Sequence, residues 1–185
     1  LGSHLMIEDF RGYNTRISEY EWEYVETKTV LAPVYHYDDA LSYQDDMDSY
    51  KGVNKEGSTG RAGCFPDVPY QLRKVYVVDG RPRDPSHPLS RRLNYLDVES
   101  AAFLYSQVYD RKGEPWKLFT IPYHHPDTSP YEVNHGSGSL LWSQPSQIDV
   151  QNQHCTTLHF NTVNNDPALE NRSRFTPQYL RKAGR

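Results

Sequence analysis

The chain has 185 residues, a length that suits one ordinary domain. It contains no run of about 18 apolar residues, which excludes a membrane-spanning helix. Its 20 Lys and Arg residues against 24 Asp and Glu residues give a net charge of −4, which offers no general binding surface for nucleic acid. The 15 Tyr, 3 Trp and 6 Phe residues can form much of a core, because each ring buries about 150–250 Å².

The first six residues, Leu-Gly-Ser-His-Leu-Met, resemble the remnant of an expression tag. We therefore expect residues 1–6 to take no part in the fold. Residues 7–185 are expected to form a single β-rich domain.

The first strand is predicted from a strict alternation. Residues 19–24 read Glu-Tyr-Glu-Trp-Glu-Tyr, which places Tyr20, Trp22 and Tyr24 on one face and glutamates on the other. We expect the strand to continue through Val30 and to end before Pro33. Beyond it, residues 40–47 show only a weak helical pattern.

The strongest strand is predicted over residues 72–79. The run Val75-Tyr76-Val77-Val78 is apolar on both faces. A strand of this kind should be covered on both sides, by a helix or by a space that holds a ligand.

The next segments indicate an antiparallel meander. Strands are predicted over residues 91–97, 101–110 and 115–123, and short turns join them. Gly113 suits the positive φ of the second turn. The chain then contains two further segments that are typical of a hairpin, residues 139–150 and residues 155–163.

The chain should end in a short helix. Thr176 can cap its N-terminus, Pro177 suits the first helical position, and Gly184 suits the stop. Taken together, the elements predict a mainly β (α+β) fold, with a curved antiparallel sheet and a short C-terminal helix.

The residues give no catalytic or metal-binding pattern. His124 and His125 are adjacent and would point to opposite faces of a strand, so they are poorly placed to share one ion. The acidic run over residues 38–48 lacks the spacing of a calcium loop, and Gly-Ser-Gly-Ser at 136–139 is not a nucleophile elbow. We therefore predict a protein that is not an enzyme and that has no catalytic residue, metal site or cofactor.

Two cysteines, Cys64 and Cys155, lie 91 positions apart and show no zinc-binding spacing. Either a single long-range disulfide or two free thiols is compatible with the sequence. The choice depends on whether the protein resides in an oxidising compartment.

The aromatic residues of the predicted strands have two interpretations. They can form the core, or they can line an apolar groove on a curved sheet, since Tyr and Trp bury a ring while keeping a polar tip in water. Under the second interpretation the candidate ligand-binding residues are Tyr20, Trp22, Tyr24, Tyr76, Val78, Tyr105 and Trp116.

Several segments resemble one bacterial family of unknown function, whose members are described as outer membrane lipoprotein-sorting proteins. The resemblance is to the C-terminal half of that family. It is densest over residues 72–117, where a Tyr-x-Asp strand, a Tyr-Asp-x-x-Gly turn and a following Trp coincide, and at residues 175–184. It implies that the chain is the C-terminal portion of a larger family domain.

The resemblance implies a half-open antiparallel barrel of the LolA/LolB type and residence in the periplasm of Gram-negative bacteria, and it allows association with the outer membrane. It also implies a hydrophobic small molecule or acyl chain as ligand and an outer-membrane or exporter protein as a possible partner. The sequence thus favours a non-enzymatic protein that binds or passes a lipid or a lipoprotein acyl chain. The alternative is a protein-interaction module that docks a partner or itself through an exposed sheet edge.

Overall fold

The protein is described by a computed structural model over most of its length. The described residues are 6–36, 57–59, 64–129, 132–143, 145–158 and 176–183. Statements about structure refer to these residues, and the weak helical pattern predicted over residues 40–47 lies outside them.

The main architectural feature is a seven-stranded antiparallel sheet. Its strand order is β1-β5-β6-β7-β8-β11-β12, so that β1 and β12 are its two edges within the described part of the chain. The strands are β1 Tyr20–Ala32, β5 Gln71–Pro82, β6 Leu89–Asp97, β7 Phe103–Asp110, β8 Pro115–Thr120, β11 Ser146–Asp149 and β12 His154–Thr157.

Two small sheets, one α-helix and four short 3-10 helices complete the described elements. A three-stranded sheet has the order β10-β9-β2, and β3 pairs with β4 in a two-stranded sheet. None of the described helices is long and apolar enough to cross a membrane. The elements are β2 Val34–Tyr35, β3 Gly57–Thr59, β4 Phe65–Asp67, β9 Tyr123–His124, β10 Leu141–Trp142 and α1 Pro177–Ala183.

The two faces of the large sheet follow from the register. Trp22 lies opposite Gly80, Val78 opposite Asn94, and Asn94 opposite Ser106. Because side chains alternate along each strand, these residues share one face, which we call the Trp22 face. The opposite face carries Val77 and its cross-strand neighbours Tyr95 and Tyr105, and we call it the Val77 face.

A core of buried apolar residues holds the large sheet to the strands β2, β9 and β10. Its members come from β1, β2, β5, β7, β8, β9 and β10 and from the residue after β8. They are Ala32, Val34, Val75, Val77, Leu104, Phe119, Ile121, Tyr123 and Trp142.

The prediction of a mainly β (α+β) fold is confirmed, and so is the antiparallel meander. The alternating segment became β1 and the meander became β6 to β8. The predicted hairpin is present as β11 paired with β12, its first segment also contains β10, and residues 159–163 of its second segment lie outside the described residues. Gly113 has a φ of 82° in the turn between β7 and β8. The helix also begins as predicted, since the Tyr179 amide donates to Thr176 Oγ1 at 3.2 Å.

The strand prediction over residues 115–123 was too long. β8 ends at Thr120, and Tyr123 belongs to β9, which pairs with β2. Pro122 stands between the two strands and has no N–H to donate to a ladder, so the chain leaves the large sheet there.

Within the described part of the chain, protein fully covers only one of the two faces of β5. Val75 and Val77 are buried on one face, but Tyr76 is 44% exposed and Leu72 is 72% exposed on the other. The apolar residues on the two faces of β5 therefore have different roles, since only Val75 and Val77 belong to the core.

Of the two cysteine alternatives, the structure contains the disulfide. Cys64 and Cys155 are joined, with their Cα atoms 6.0 Å apart, and the Cys64 side chain is buried. The bond ties the segment that leads into β4 to β12, the edge strand farthest from β1.

Candidate functional site

A cavity of about 400 Å³ opens on the Trp22 face of the sheet. Strands β1, β5, β6 and β7 form one wall, and the segment of residues 13–17 that precedes β1 forms another. Most of the lining is apolar or aromatic. The lining residues are Tyr13, Thr15, Ile17, Trp22, Val78, Asn94, Leu96 and Phe103.

Trp22 is held in a fixed position at the cavity. Its indole Nε1 donates to the Ile17 carbonyl at 2.9 Å, and its ring stacks on Tyr20 at 5.4 Å and meets Tyr13 edge-on at 4.9 Å. The indole also lies directly over Gly80, where an added Cβ would come within 2.4 Å of the ring. A side chain other than hydrogen at position 80 would displace the ring, so Gly80 is required by this packing.

An exposed apolar strip follows β1 and β5 beside the cavity and is interrupted by the opposed polar residues Thr29 and Lys74. It consists of Tyr24, Leu31, Leu72 and Tyr76, which are 60%, 60%, 72% and 44% exposed. The register places Tyr24 opposite Val78 and Leu31 opposite Leu72, so these side chains share the Trp22 face. Tyr24 and Tyr76 also meet edge-on at 6.3 Å. We call these four residues the apolar strip.

The cavity contains one deeply buried polar group. Asn94 is 1% exposed, and neither its Nδ2 nor its Oδ1 has a hydrogen-bond partner among the described residues. Its cross-strand neighbour Ser106 is 2% exposed, and within the same part of the chain its Oγ has no partner either. Buried polar groups in native proteins are nearly always paired, so this pair of side chains calls for a ligand or a water.

The rest of the Trp22 face is closed by the chain itself. The segment Ile7–Gly12 forms a short 3-10 helix, and its buried Asp9 contacts three side chains of the sheet. These are Arg92 at 3.2 Å, Gln147 at 2.9 Å and the ammonium group of Lys117 at 3.9 Å. Burial lowers the pKa of Lys117, an effect that the nearby Asp9 carboxylate opposes.

Arg92 also anchors the segment to the aromatic residues beside the cavity. Its guanidinium lies 5.4 Å from the ring centres of Tyr13 and Tyr20 and donates to Glu8 at 2.7 Å. Burial raises the pKa of Tyr20, whose hydroxyl donates to Glu8 at 3.2 Å. The buried charges therefore hold the segment that forms one wall of the cavity.

The structure brings four of the seven predicted ligand-binding residues to this site. Trp22 and Val78 line the cavity, and Tyr24 and Tyr76 lie in the apolar strip. Tyr20 is 2% exposed and supports Trp22 from behind rather than lining the space.

Tyr105 and Trp116 do not join the cavity. Tyr105 lies on the Val77 face, and its hydroxyl donates to the Leu31 carbonyl at 2.7 Å. Trp116 lies on β8 and donates to Asp149 at 3.2 Å. An aromatic residue in a strand does not reveal which face it occupies until the register is known, and this explains both placements.

Several lining residues were not predicted from the sequence. Tyr13, Thr15 and Ile17 precede the alternating segment and carry no pattern of their own. Asn94, Leu96 and Phe103 lie in predicted strands, where an isolated Asn among apolar residues at 93–96 was the one available signal. No group of three or more His, Cys, Asp or Glu side chains in the described part of the chain is placed to hold a metal ion.

The fold is similar to that of solved structures. A crystal structure from Vibrio parahaemolyticus, given the provisional description of an outer membrane lipoprotein-sorting protein domain, superposes with a TM-score of 0.53 at 14% identity over 96% of this chain and 54% of that one. A family protein of unknown function from Desulfovibrio piger has a TM-score of 0.36 at 14% identity over 76% of this chain and 53% of that one. The chain therefore spans about half the length of these two proteins.

The comparison with curated proteins gives no match. The family comparison, in contrast, covers nearly the whole chain: the model of a family described as "Protein of unknown function (DUF1329)" matches residues 1–181. The chain belongs to the DUF1329 family.

Proposed function

We propose that the protein binds the acyl chain of a lipid or lipoprotein, with part of the chain in the cavity and part along the apolar strip. The observation that carries this proposal is that the two lie side by side on one face, since Tyr24 of the strip is directly opposite Val78 of the cavity lining. An aromatic cavity of about 400 Å³ lies within the range of small-molecule sites, ~300–1,000 Å³, and opens onto exposed apolar residues of the same face.

The energetics favour a long apolar ligand. Apolar surface left in water costs about 25 cal/mol per Å², and strand residues such as Leu72 and Leu31 would normally be covered. Each methylene group of a bound acyl chain contributes about 0.8 kcal/mol when it leaves water. A chain that follows the strip therefore gains affinity in proportion to its length.

The family and the fold support a proposal about where in the cell this protein acts. One structural neighbour carries the provisional description of an outer membrane lipoprotein-sorting protein domain. By this likeness we propose a non-enzymatic role in the periplasm, at the outer membrane, in which the ligand is bound or passed on to a protein of that membrane or of an exporter.

The proposal is tested with a neutral apolar probe, N-phenylnaphthylamine, whose fluorescence rises when it leaves water. We expect saturable binding at micromolar concentration or tighter, and displacement by acyl-chain lipids. Tyr76→Glu should weaken binding at least tenfold, because it places a charge in the apolar strip. Val133→Glu is the matched control, since Val133 is similarly exposed but lies outside the large sheet.

Two further measurements complete the test. Mass spectrometry of an organic extract of the purified protein should detect a co-purified acyl lipid. A folded protein that neither binds the probe nor carries a lipid would contradict the proposal.

The second candidate function, docking through a sheet edge, has one supporting observation. β1 is a 13-residue edge strand of the large sheet. However, it carries Glu21, Glu23 and Lys28 and is interrupted by a bulge between Tyr24 and Glu26, and such features protect edges from pairing. Concentration-dependent self-association in size-exclusion chromatography, without probe binding, would favour this candidate.

A further inference from the structure

The buried polar pair in the cavity points to the chemistry of the ligand's head group. Asn94 lines the cavity between Val78 and Leu96, and the other lining residues near it are apolar or aromatic. Ser106 faces it across the β6–β7 ladder, and directly opposed side chains in such a ladder have Cβ atoms about 4.5–5.5 Å apart. The cavity lining thus contains one buried carboxamide, that of Asn94, and the buried hydroxyl of Ser106 lies beside it in the sheet.

Three polar atoms of this pair lack partners in the described part of the chain. They are Asn94 Nδ2, Asn94 Oδ1 and Ser106 Oγ. An amide offers donors and an acceptor side by side, and a hydroxyl can act as either. The complementary ligand group therefore carries a donor and an acceptor on the same carbon atom.

The charges nearby indicate that this group is neutral. The buried cluster beside the cavity contains two anions, Glu8 and Asp9, and two cations, Arg92 and Lys117, at contact distances from one another. The buried Asp149 near Lys117 adds a further anion, and none of these five residues lines the cavity. An ionised carboxylate or phosphate at Asn94 would be a buried charge without a compensating charge in the lining, which is strongly unfavourable.

We propose that Asn94 and Ser106 bind the neutral head of a single-chain lipid, a primary amide or a protonated carboxylic acid, while its tail follows the apolar strip. Both heads can form two hydrogen bonds with one carboxamide, one in each direction. The inference rests on the proposed function, since it specifies which end of the acyl ligand enters the cavity.

A matched series of ligands tests this assignment. Decanamide, decanoate and decene share a tail and differ in the head, and each is titrated as a competitor of N-phenylnaphthylamine. At about pH 8, where decanoate is ionised, we expect decanamide to bind at least tenfold more tightly than decene, and decene more tightly than decanoate. Lowering the pH toward the pKa of the free acid should strengthen decanoate binding and leave decanamide binding unchanged.

Variants locate the effect. Asn94→Leu, which keeps the branching of the side chain and removes its polar atoms, should abolish the preference for decanamide over decene while decene still binds. It should not lower the free energy of unfolding, because a buried group without partners is removed. Gln107→Leu is the matched control on the same strand as Ser106, since position 107 lies on the Val77 face, and it should keep the preference.

The outcomes separate this inference from the function on which it rests. Equal binding of decanamide and decene, or tightest binding of ionised decanoate, would overturn the head-group assignment and leave acyl-chain binding in place. Failure of all three ligands to displace the probe would overturn the proposed function itself. Should Asn94→Leu fail to fold, Ser106→Ala tests the second hydrogen-bonding group, and the wild-type ligand series decides the question without any variant.

Discussion

Two halves of the Trp22 face belong to the same sheet, but one is covered by another segment of the chain and the other is exposed to solvent. In the closed half, the segment Ile7–Gly12 covers β6 to β11 and is held by Asp9, which contacts Arg92, Lys117 and Gln147. In the open half, β1 and β5 present Tyr24, Leu31, Leu72 and Tyr76 to solvent. The closed half buries charges, and the open half exposes apolar rings and chains.

The difference shows how the chain separates folding from binding. Buried ion pairs fix the orientation of a segment but are costly to form, so they suit a contact that is made once, during folding. Apolar surface is not directional and accepts any apolar partner of suitable length. The closed half therefore forms a wall of the cavity, and the open half is the surface that a ligand can cover.

The largest effect is expected from the disulfide between Cys64, which directly precedes β4, and Cys155 in the edge strand β12. A bond that closes a loop of 91 residues contributes about 4.6 kcal/mol to the free energy of unfolding in the chain-entropy model. Urea unfolding of the protein with and without reductant measures this difference. Titration of the unreduced, denatured protein should find no free thiol, and two free thiols would contradict the pairing.

Removal of one buried charge should destabilise the closed half. Asp9→Asn leaves Arg92 and Lys117 in the interior with one anion fewer, which should lower the free energy of unfolding by about 3 kcal/mol. The control is Glu21→Gln at the exposed Glu21–Arg83 pair, where we expect a change of about 0–1 kcal/mol. Equal losses in the two variants would show that Asp9 does not hold the segment.

Two leucine substitutions compare the core with the open half. Leu104 is fully buried in the core and Leu72 is 72% exposed in the apolar strip. Leu104→Ala should lower the free energy of unfolding by about 2 kcal/mol or more, and Leu72→Ala by less than about 0.5 kcal/mol. Leu72→Ala should instead weaken binding of the neutral probe. A large loss of stability at Leu72 would mean that the strip serves folding rather than binding.

A fall in pH should lower the free energy of unfolding through the buried His124 and should leave ligand binding at the open half unchanged. Burial lowers the pKa of His124, in β9, from 6.5 to about 4. Because the folded protein keeps this imidazole neutral, the unfolded state binds more protons below about pH 6.5, and stability is lost as the pH falls toward 4. Between about pH 7.5 and 5.5 the expected loss is about 1.4 kcal/mol.

Urea unfolding at the two pH values measures this loss, and His124→Gln should reduce it. Binding of the neutral probe should be the same at both pH values in protein that remains folded. A pH-dependent affinity for that probe would place a titrating group at the cavity.

The sequence predicted the strands well and the site only in part. Alternation in residues 19–24 and the apolar run Val75–Val78 are local signals, so β1 and β5 and the presence of Trp22 and Val78 near a ligand space could be anticipated. The exposure of Tyr76 could not, because it depends on what covers the face from elsewhere in the chain. The same holds for Asp9 and Gln147, which meet across 138 positions, and for Asn94, whose lack of partners is a property of the assembled fold.

The most direct test of the account is to map where an acyl chain lies on the sheet. A decanamide that carries a photoreactive diazirine at the end of its tail is bound, irradiated and located by peptide mass spectrometry. The account predicts crosslinks in the peptides of β1 and β5, at the apolar strip, that decanamide prevents and that Tyr76→Glu greatly reduces. Crosslinks confined to β8 and β11, or to residues of the Val77 face such as Tyr105, would contradict the assignment of the open half as the binding surface.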